Sequence, residues 1–251
     1  MHTSPKMPFL KKELTQLIAL LLLLSNVATI YSQTNSENSL YHWYDKSVGK
    51  ENLDINNGTL YSNYYKTVNN THSYLNSEVF ENGNIVYENQ TYTEIILNYD
   101  VFKDDLLLKP NGINDRRSVI LIPQKIQSFS FSGKLFVNLN YNQIPTADFV
   151  KGFYEENYLG EKFTFYIKHA KEKREMTSEG KIYDSFKEKN EFILYFKNKF
   201  YDINSKKNIA AIFPEVKNQI DDYYLLNNKI EESNKTQFME SLLRHLNAIL
   251  K

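Results

Sequence analysis

Between Gly83 and Ile203 the chain is a succession of short runs whose apolar residues fall at alternate positions, each closed by a few turn-forming residues. A period of two belongs to strands, because successive side chains of an extended backbone point to opposite faces of a sheet. Residues 85–87 lead through Glu88-Asn89-Gln90 to Tyr92, Ile95, Leu97 and Tyr99. After Lys103-Asp104-Asp105 come 106–108 and then 119–122, closed by Pro123. Ile126, Phe129 and Phe131 turn at Ser132-Gly133-Lys134 into Leu135, Val137 and Leu139. Residues 153–158 join Phe163, Phe165 and Ile167 at Leu159-Gly160-Glu161, and 192–196 join 200–203 across Lys197-Asn198-Lys199. No helical period intervenes, so alternating strand-helix-strand units are excluded and an antiparallel meander is expected. The charged run 168–181, with Lys171, Lys173 and Arg174 set against Glu172 and Glu175, reads as a solvated connection.

After Ile203 the period changes. Ile209, Ile212 and Phe213 suit one or two helical turns, and Pro214 opens a second helix carrying Val216, Ile220, Tyr223 and Tyr224 on one stripe. A third follows Asn234 or Thr236, with Phe238, Leu242, Leu246 and Ile249 spaced as a helix face. Such a stripe must cover something, and the sheet is the available surface. Lys235, Glu240 and Arg244 do not make the cationic polar face that a membrane-surface helix carries.

The N-terminus has the form of a targeting signal. Lys6, Lys11 and Lys12 precede the unbroken apolar stretch 17–24, which is shorter than the roughly 20 residues a membrane span needs. Ser32 places a small residue before Gln33, so cleavage is expected there, leaving no integral membrane span; retention of the segment as an anchor is the alternative. Residues 33–39 are polar and tether-like, and Asn38 can cap a short helix running through Leu40, Trp43 and Val48 to Gly49. The expected fold class is therefore α+β: a mainly antiparallel β meander with a short N-terminal helix and two to three C-terminal helices packed on the sheet. The segments are 1–32 as signal peptide, 33–56 as tether and short helix, 57–203 as the antiparallel β domain, and 204–251 as the helical segment packed on it.

Composition enters as a set of exclusions. Lys and Arg number 30, as do Asp and Glu, so the net charge is zero and no field exists to gather nucleic acid or anionic lipid. The chain has no Cys, which removes disulfides, thiolate metal sites and a cysteine nucleophile. An exported chain without disulfides fits a bacterial envelope better than a small eukaryotic secreted domain. Its 19 Tyr and 16 Phe supply the area for a core instead.

Catalytic motifs are absent: no Gly-x-Gly-x-x-Gly, no phosphate loop, no Gly-x-Ser-x-Gly and no His-Glu-x-x-His. The five histidines are scattered, so neither a metal nor a cofactor is expected. Asp100, Asp104 and Asp105 bracket one turn and could act together, whereas Glu155 and Glu156 alternate along a strand and point to opposite faces. Tyr61, Tyr64, Tyr65 and Tyr74 lie in a polar, Asn-rich stretch before the first hairpin and are the candidate ligand-binding residues, because tyrosine offers contact area at little rotamer cost.

Asn57-Gly58-Thr59-Leu60-Tyr61, Gly83-Asn84-Ile85-Val86-Tyr87-Glu88-Asn89-Gln90-Thr91-Tyr92, Leu97-Asn98-Tyr99-Asp100, Gly152-Phe153-Tyr154-Glu155 and the stretch 206–214 resemble features of uncharacterised exported proteins of Bacteroidota. The resemblance spans nearly all of the mature chain and implies an exported location and a one-piece architecture. It implies no activity. The sequence thus points to a non-catalytic binding or accessory module of the periplasm or cell envelope, with an envelope protein or glycan as partner and no nucleic acid. The alternative is a hydrolase of envelope polymers working through Asp100 or Asp104.

Overall fold

The computed structural model describes residues 54–68, 71–141 and 147–250. The targeting segment and the short helix expected after Asn38 lie outside them. The strands are β1 (Thr59–Leu60), β2 (Glu81–Tyr87), β3 (Gln90–Asp100), β4 (Asp105–Lys109), β5 (Val119–Ile120), β6 (Ile126–Phe131) and β7 (Lys134–Asn138). They continue as β8 (Phe153–Leu159), β9 (Thr164–Lys168), β10 (Lys171–Ser178), β11 (Lys181–Glu188), β12 (Glu191–Phe196) and β13 (Lys199–Asp202). Four helices follow: α1 (Lys206–Ile212), α2 (Lys217–Leu226), α3 (Asn228–Ser233) and α4 (Lys235–Ile249). The fold is mostly antiparallel sheet followed by C-terminal helices, and none of the described helices is long and apolar enough to cross a membrane.

Eleven strands form one sheet in the order β1-β5-β4-β3-β2-β6-β7-β8-β9-β12-β13, while β10 and β11 form a separate ribbon. Four of its hairpins, counting that ribbon, turn on two residues that both have positive φ: Glu88 and Asn89 (50° and 66°), Ser132 and Gly133 (52° and 72°), Glu179 and Gly180 (51° and 72°), and Lys197 and Asn198 (49° and 60°). This is the type I′ turn, whose twist matches that of the strands it joins. The sequence singled out three of the four. It missed Glu179-Gly180 because 168–181 reads as a solvated connection, whereas this stretch holds β10 and the start of its pairing with β11. What organises the ribbon is cross-strand charge, not apolar periodicity: Lys171 faces Glu188, Glu172 faces Lys187, and Lys173 Nζ lies 2.8 Å from Asp184 Oδ1.

The sheet is strongly curled. Along the order β3-β2-β6-β7-β8, a flat sheet would separate β3 from β8 by about 19 Å, four strand spacings. Yet the ring of Tyr99 on β3 lies 6.1 Å from that of Phe153 on β8 and 5.4 Å from those of Phe129 and Phe136 on the strands between. The pairing is irregular near Glu94, which has φ 55° and lies beside the register shift between Gly83 and Ile85.

Curling gives the sheet an inner and an outer face. Phe165 and Ile167 of β9 and Phe192 and Leu194 of β12 point inward and pack with Ile209, Phe213, Ile220, Phe238, Leu242 and Leu246 of the helical segment. The expected stripe on α4 is real and wider than foreseen, since Met239 and Leu243 are buried with it. Ser205 caps α1 by accepting from the Asn208 N–H, and Asn234 caps α4 by accepting from that of Gln237. At Asn227 the helical path breaks: its side-chain amide donates to the Tyr223 carbonyl at 2.9 Å, closing α2 and producing α3 as one helix beyond the expected two to three.

Candidate functional site

One hollow of the fold lies on the outer face. Val137, Tyr166, Tyr195 and Phe200 project outward from β7, β9, β12 and β13, and Val150 packs on Tyr154, Tyr166 and Ile193. With Leu139, Tyr141, Gln127 and Asn138, those four residues enclose a pocket of about 450 Å³. Cross-strand pairing sets Tyr195 against Phe200, with ring centroids 4.8 Å apart and planes at 46°, and Tyr166 lies 6.3 Å from Phe200. Asn138 is held rigidly: its amide donates to the Pro123 and Ile126 carbonyls at 3.1 and 3.0 Å, and its oxygen accepts from the Asn140 N–H.

None of the eight lining residues carries a charge. Beneath them Glu156, paired in register with Tyr166, accepts the tyrosine's hydroxyl proton. Burial, followed by the Glu156 charge, pushes the Tyr166 hydroxyl up to about 12. Burial also raises the Glu156 carboxyl, against the stabilising bond from Tyr166. The pocket therefore offers ring faces, hydroxyls and amides.

Of the four tyrosines singled out from the sequence, Tyr61 and Tyr74 are in ring contact and the Lys103 amine lies over both Tyr61 and Tyr65. Tyr61 donates to Asp100 Oδ2 at 3.1 Å, its hydroxyl oxygen lies 3.2 Å from that of Tyr74, and burial raises both tyrosines. Tyr65 stands edge-on to Phe102 and Phe186, with the amines of Lys103 and Lys173 over its ring. Tyr64 alone is widely open, at 81% exposure.

Each aspartate of the enzymatic alternative is already engaged. Asp100 is fully buried, and its oxygens accept from Tyr61 and from the Phe102 and Lys103 N–H groups. Asp104 accepts from Tyr99 and from Lys168 Nζ at 2.5 Å. Asp105 is raised by burial and by the neighbouring Asp100 charge. On the inner face lies a further buried carboxylate, Glu155, contacted by His169, by Lys134 Nζ at 2.8 Å and by Asn157, whose amide also reaches Glu240 of α4. Burial pushes Glu155 up, but the bonds from His169, Lys134 and Asn157 more than offset this and hold it at about 2. Among the described residues no three of His, Cys, Asp and Glu converge so as to hold a metal ion.

Sequence reading passed over Tyr141, Tyr166, Tyr195 and Phe200, although a signal was present. Phe165-Tyr166-Ile167 and the run 192–196 are continuous rather than alternating, the mark of strands covered on both faces. Compared with known proteins, the chain matches no family model, no curated protein and no solved structure.

Proposed function

We propose that the chain is an exported, non-catalytic binding or accessory module of the periplasm or cell envelope, and that its ligand enters the outer-face pocket. The observation that carries this reading is the pocket's lining: aromatic rings with a few polar termini, on rigid strands, with no charge. Export rests on the form of residues 1–32. The hydrolase alternative has less support, because a working acid or base needs a free oxygen facing substrate, and both Asp100 and Asp104 are spent on internal partners.

The test uses the exported protein incubated with solubilised cell-envelope extract and separated by gel filtration. Material that co-elutes with the wild type and is lost from the doubly substituted Tyr195→Ala, Phe200→Ala protein, but kept by Asp104→Asn, supports the reading. Release of polymer fragments that Asp104→Asn abolishes overturns it in favour of the hydrolase. Intact-mass measurement of the same sample is expected to show a chain beginning at Gln33; a membrane-bound species retaining 1–32 would make the segment an anchor.

A further inference from the structure

The chemistry of the pocket walls narrows what the ligand is, given the binding reading above. We propose that the outer-face pocket takes a neutral saccharide, one sugar face lying on the rings of Tyr195 and Phe200 and its hydroxyls meeting the tyrosyl oxygens. Size comes first: about 450 Å³ falls within the roughly 300–1,000 Å³ of small-molecule sites.

Charge comes second. With no Lys, Arg, Asp or Glu in the lining, a phosphate, carboxylate or ammonium group would be stripped of water and meet no counter-charge. The sense of the hydrogen bonds comes third. Tyr166 gives its hydroxyl proton to Glu156 and accepts from Thr164, which leaves it one lone pair, and Tyr195 gives its own proton to Asn198 Oδ1 at 3.4 Å. A tyrosyl oxygen that has donated its one proton retains only acceptor capacity, so the entering molecule must bring O–H or N–H donors. A bare hydrocarbon or aromatic ligand would leave that acceptor capacity unused.

Sugars match all three requirements, since one ring presents a C–H face to an aromatic plane and a rim of hydroxyls to acceptors. A quaternary ammonium group also suits ring faces. It has no proton to donate to Tyr166 or Tyr195, and no lining carboxylate balances its charge.

The test is isothermal titration of the full exported protein with cellobiose, maltose and N,N′-diacetylchitobiose, alongside phenol and choline. At least one disaccharide is expected to bind the wild type, with affinity reduced about tenfold or more in Tyr195→Ala and by a smaller factor in Tyr195→Phe, which keeps the ring and deletes the oxygen. Thermal unfolding of each variant checks folding; should Tyr195→Ala not fold, the comparison of Tyr195→Phe with Phe200→Leu carries the test. Phenol or choline binding in a Tyr195-dependent manner while no disaccharide binds overturns the saccharide and leaves the pocket as a ligand site. Disaccharide binding that none of the variants weakens overturns the site itself, and binding of no probe at all overturns both.

Discussion

Glu155 shows how a single buried charge becomes a pH-dependent stability term. It is held at about 2 in the fold against 4.5 for the free group, so the unfolded chain takes up the proton first as pH falls. The stabilisation is therefore complete above about pH 5 and drains away toward pH 2, a swing of about 3 kcal/mol. Urea midpoints measured between pH 6 and pH 2.5 should fall for the wild type and fall visibly less for Glu155→Gln; parallel curves would show that Glu155 is not the linked group. Gly152 makes a second case at this scale. Its φ is 75°, and a Cβ there would collide with Asp104 and press on Lys168 Nζ at 2.6 Å, whereas Gly133 at φ 72° has open space around it. Gly152→Ala should thus cost about 2 kcal/mol or more and Gly133→Ala about 1 kcal/mol, as read from denaturant midpoints. The sequence shows both glycines but not the difference, because Asp104 and Lys168 come to Gly152 from distant positions in the chain.

Elements inherit their stability from what they cover. Leu242 is fully buried within the helix-sheet cluster, and Ser241 beside it is exposed. Leu242→Asp would put an unpaired carboxylate there and should destabilise the protein by about 3 kcal/mol or more, while Ser241→Asp should change the denaturant midpoint little. The ribbon of β10 and β11 obeys a different economy. Two-stranded ribbons are marginal alone, and this one is tied down by the Asp184 N–H to the Lys66 carbonyl, by Lys171 Nζ to the His72 and Tyr74 carbonyls, and by Phe186 against Tyr65 and Phe102. Phe186→Ala should speed amide exchange along 171–188 without changing that of β6 and β7; equal acceleration in both would mean the ribbon and sheet unfold as one. Helix α4 was legible because its apolar period is local and strong. The ribbon was not, since alternating charge fits a loop and a solvated hairpin equally well until the partner strand is known.

At the scale of the whole molecule, strand existence was readable and strand order was not. Local alternation marks each run, but nothing local says that the chain steps outward through β2, β3, β4 and β5 and then returns to the free edge of β2 for β6. Likewise the candidate pocket draws Val137, Tyr166, Tyr195 and Phe200 from four strands spread over 137–200, a juxtaposition set by pairing register and by curl. The tyrosines singled out from the sequence are near neighbours along the chain, and Tyr61 and Tyr74 stay in ring contact, whereas those of the pocket come together from distant positions.

The four type I′ turns carry a consequence for how the molecule assembles. Each joins strands two residues apart, so the hairpins β2-β3, β6-β7, β10-β11 and β12-β13 can zip on a scale of about 1–10 μs, before any distant contact exists. Pairing of β2 with β6 is different in kind: Gly83 meets Phe131 only after the intervening chain has closed a long loop, whose entropy must be met in advance. The curl cannot form until that seam closes, and the packing of Tyr99 against Phe129 and Phe153 follows it. In stopped-flow refolding, Gly133→Ala should chiefly slow folding, while Phe153→Leu should chiefly hasten unfolding. The turns would then set the tempo, and the aromatic interior would act as the latch that keeps the finished molecule shut.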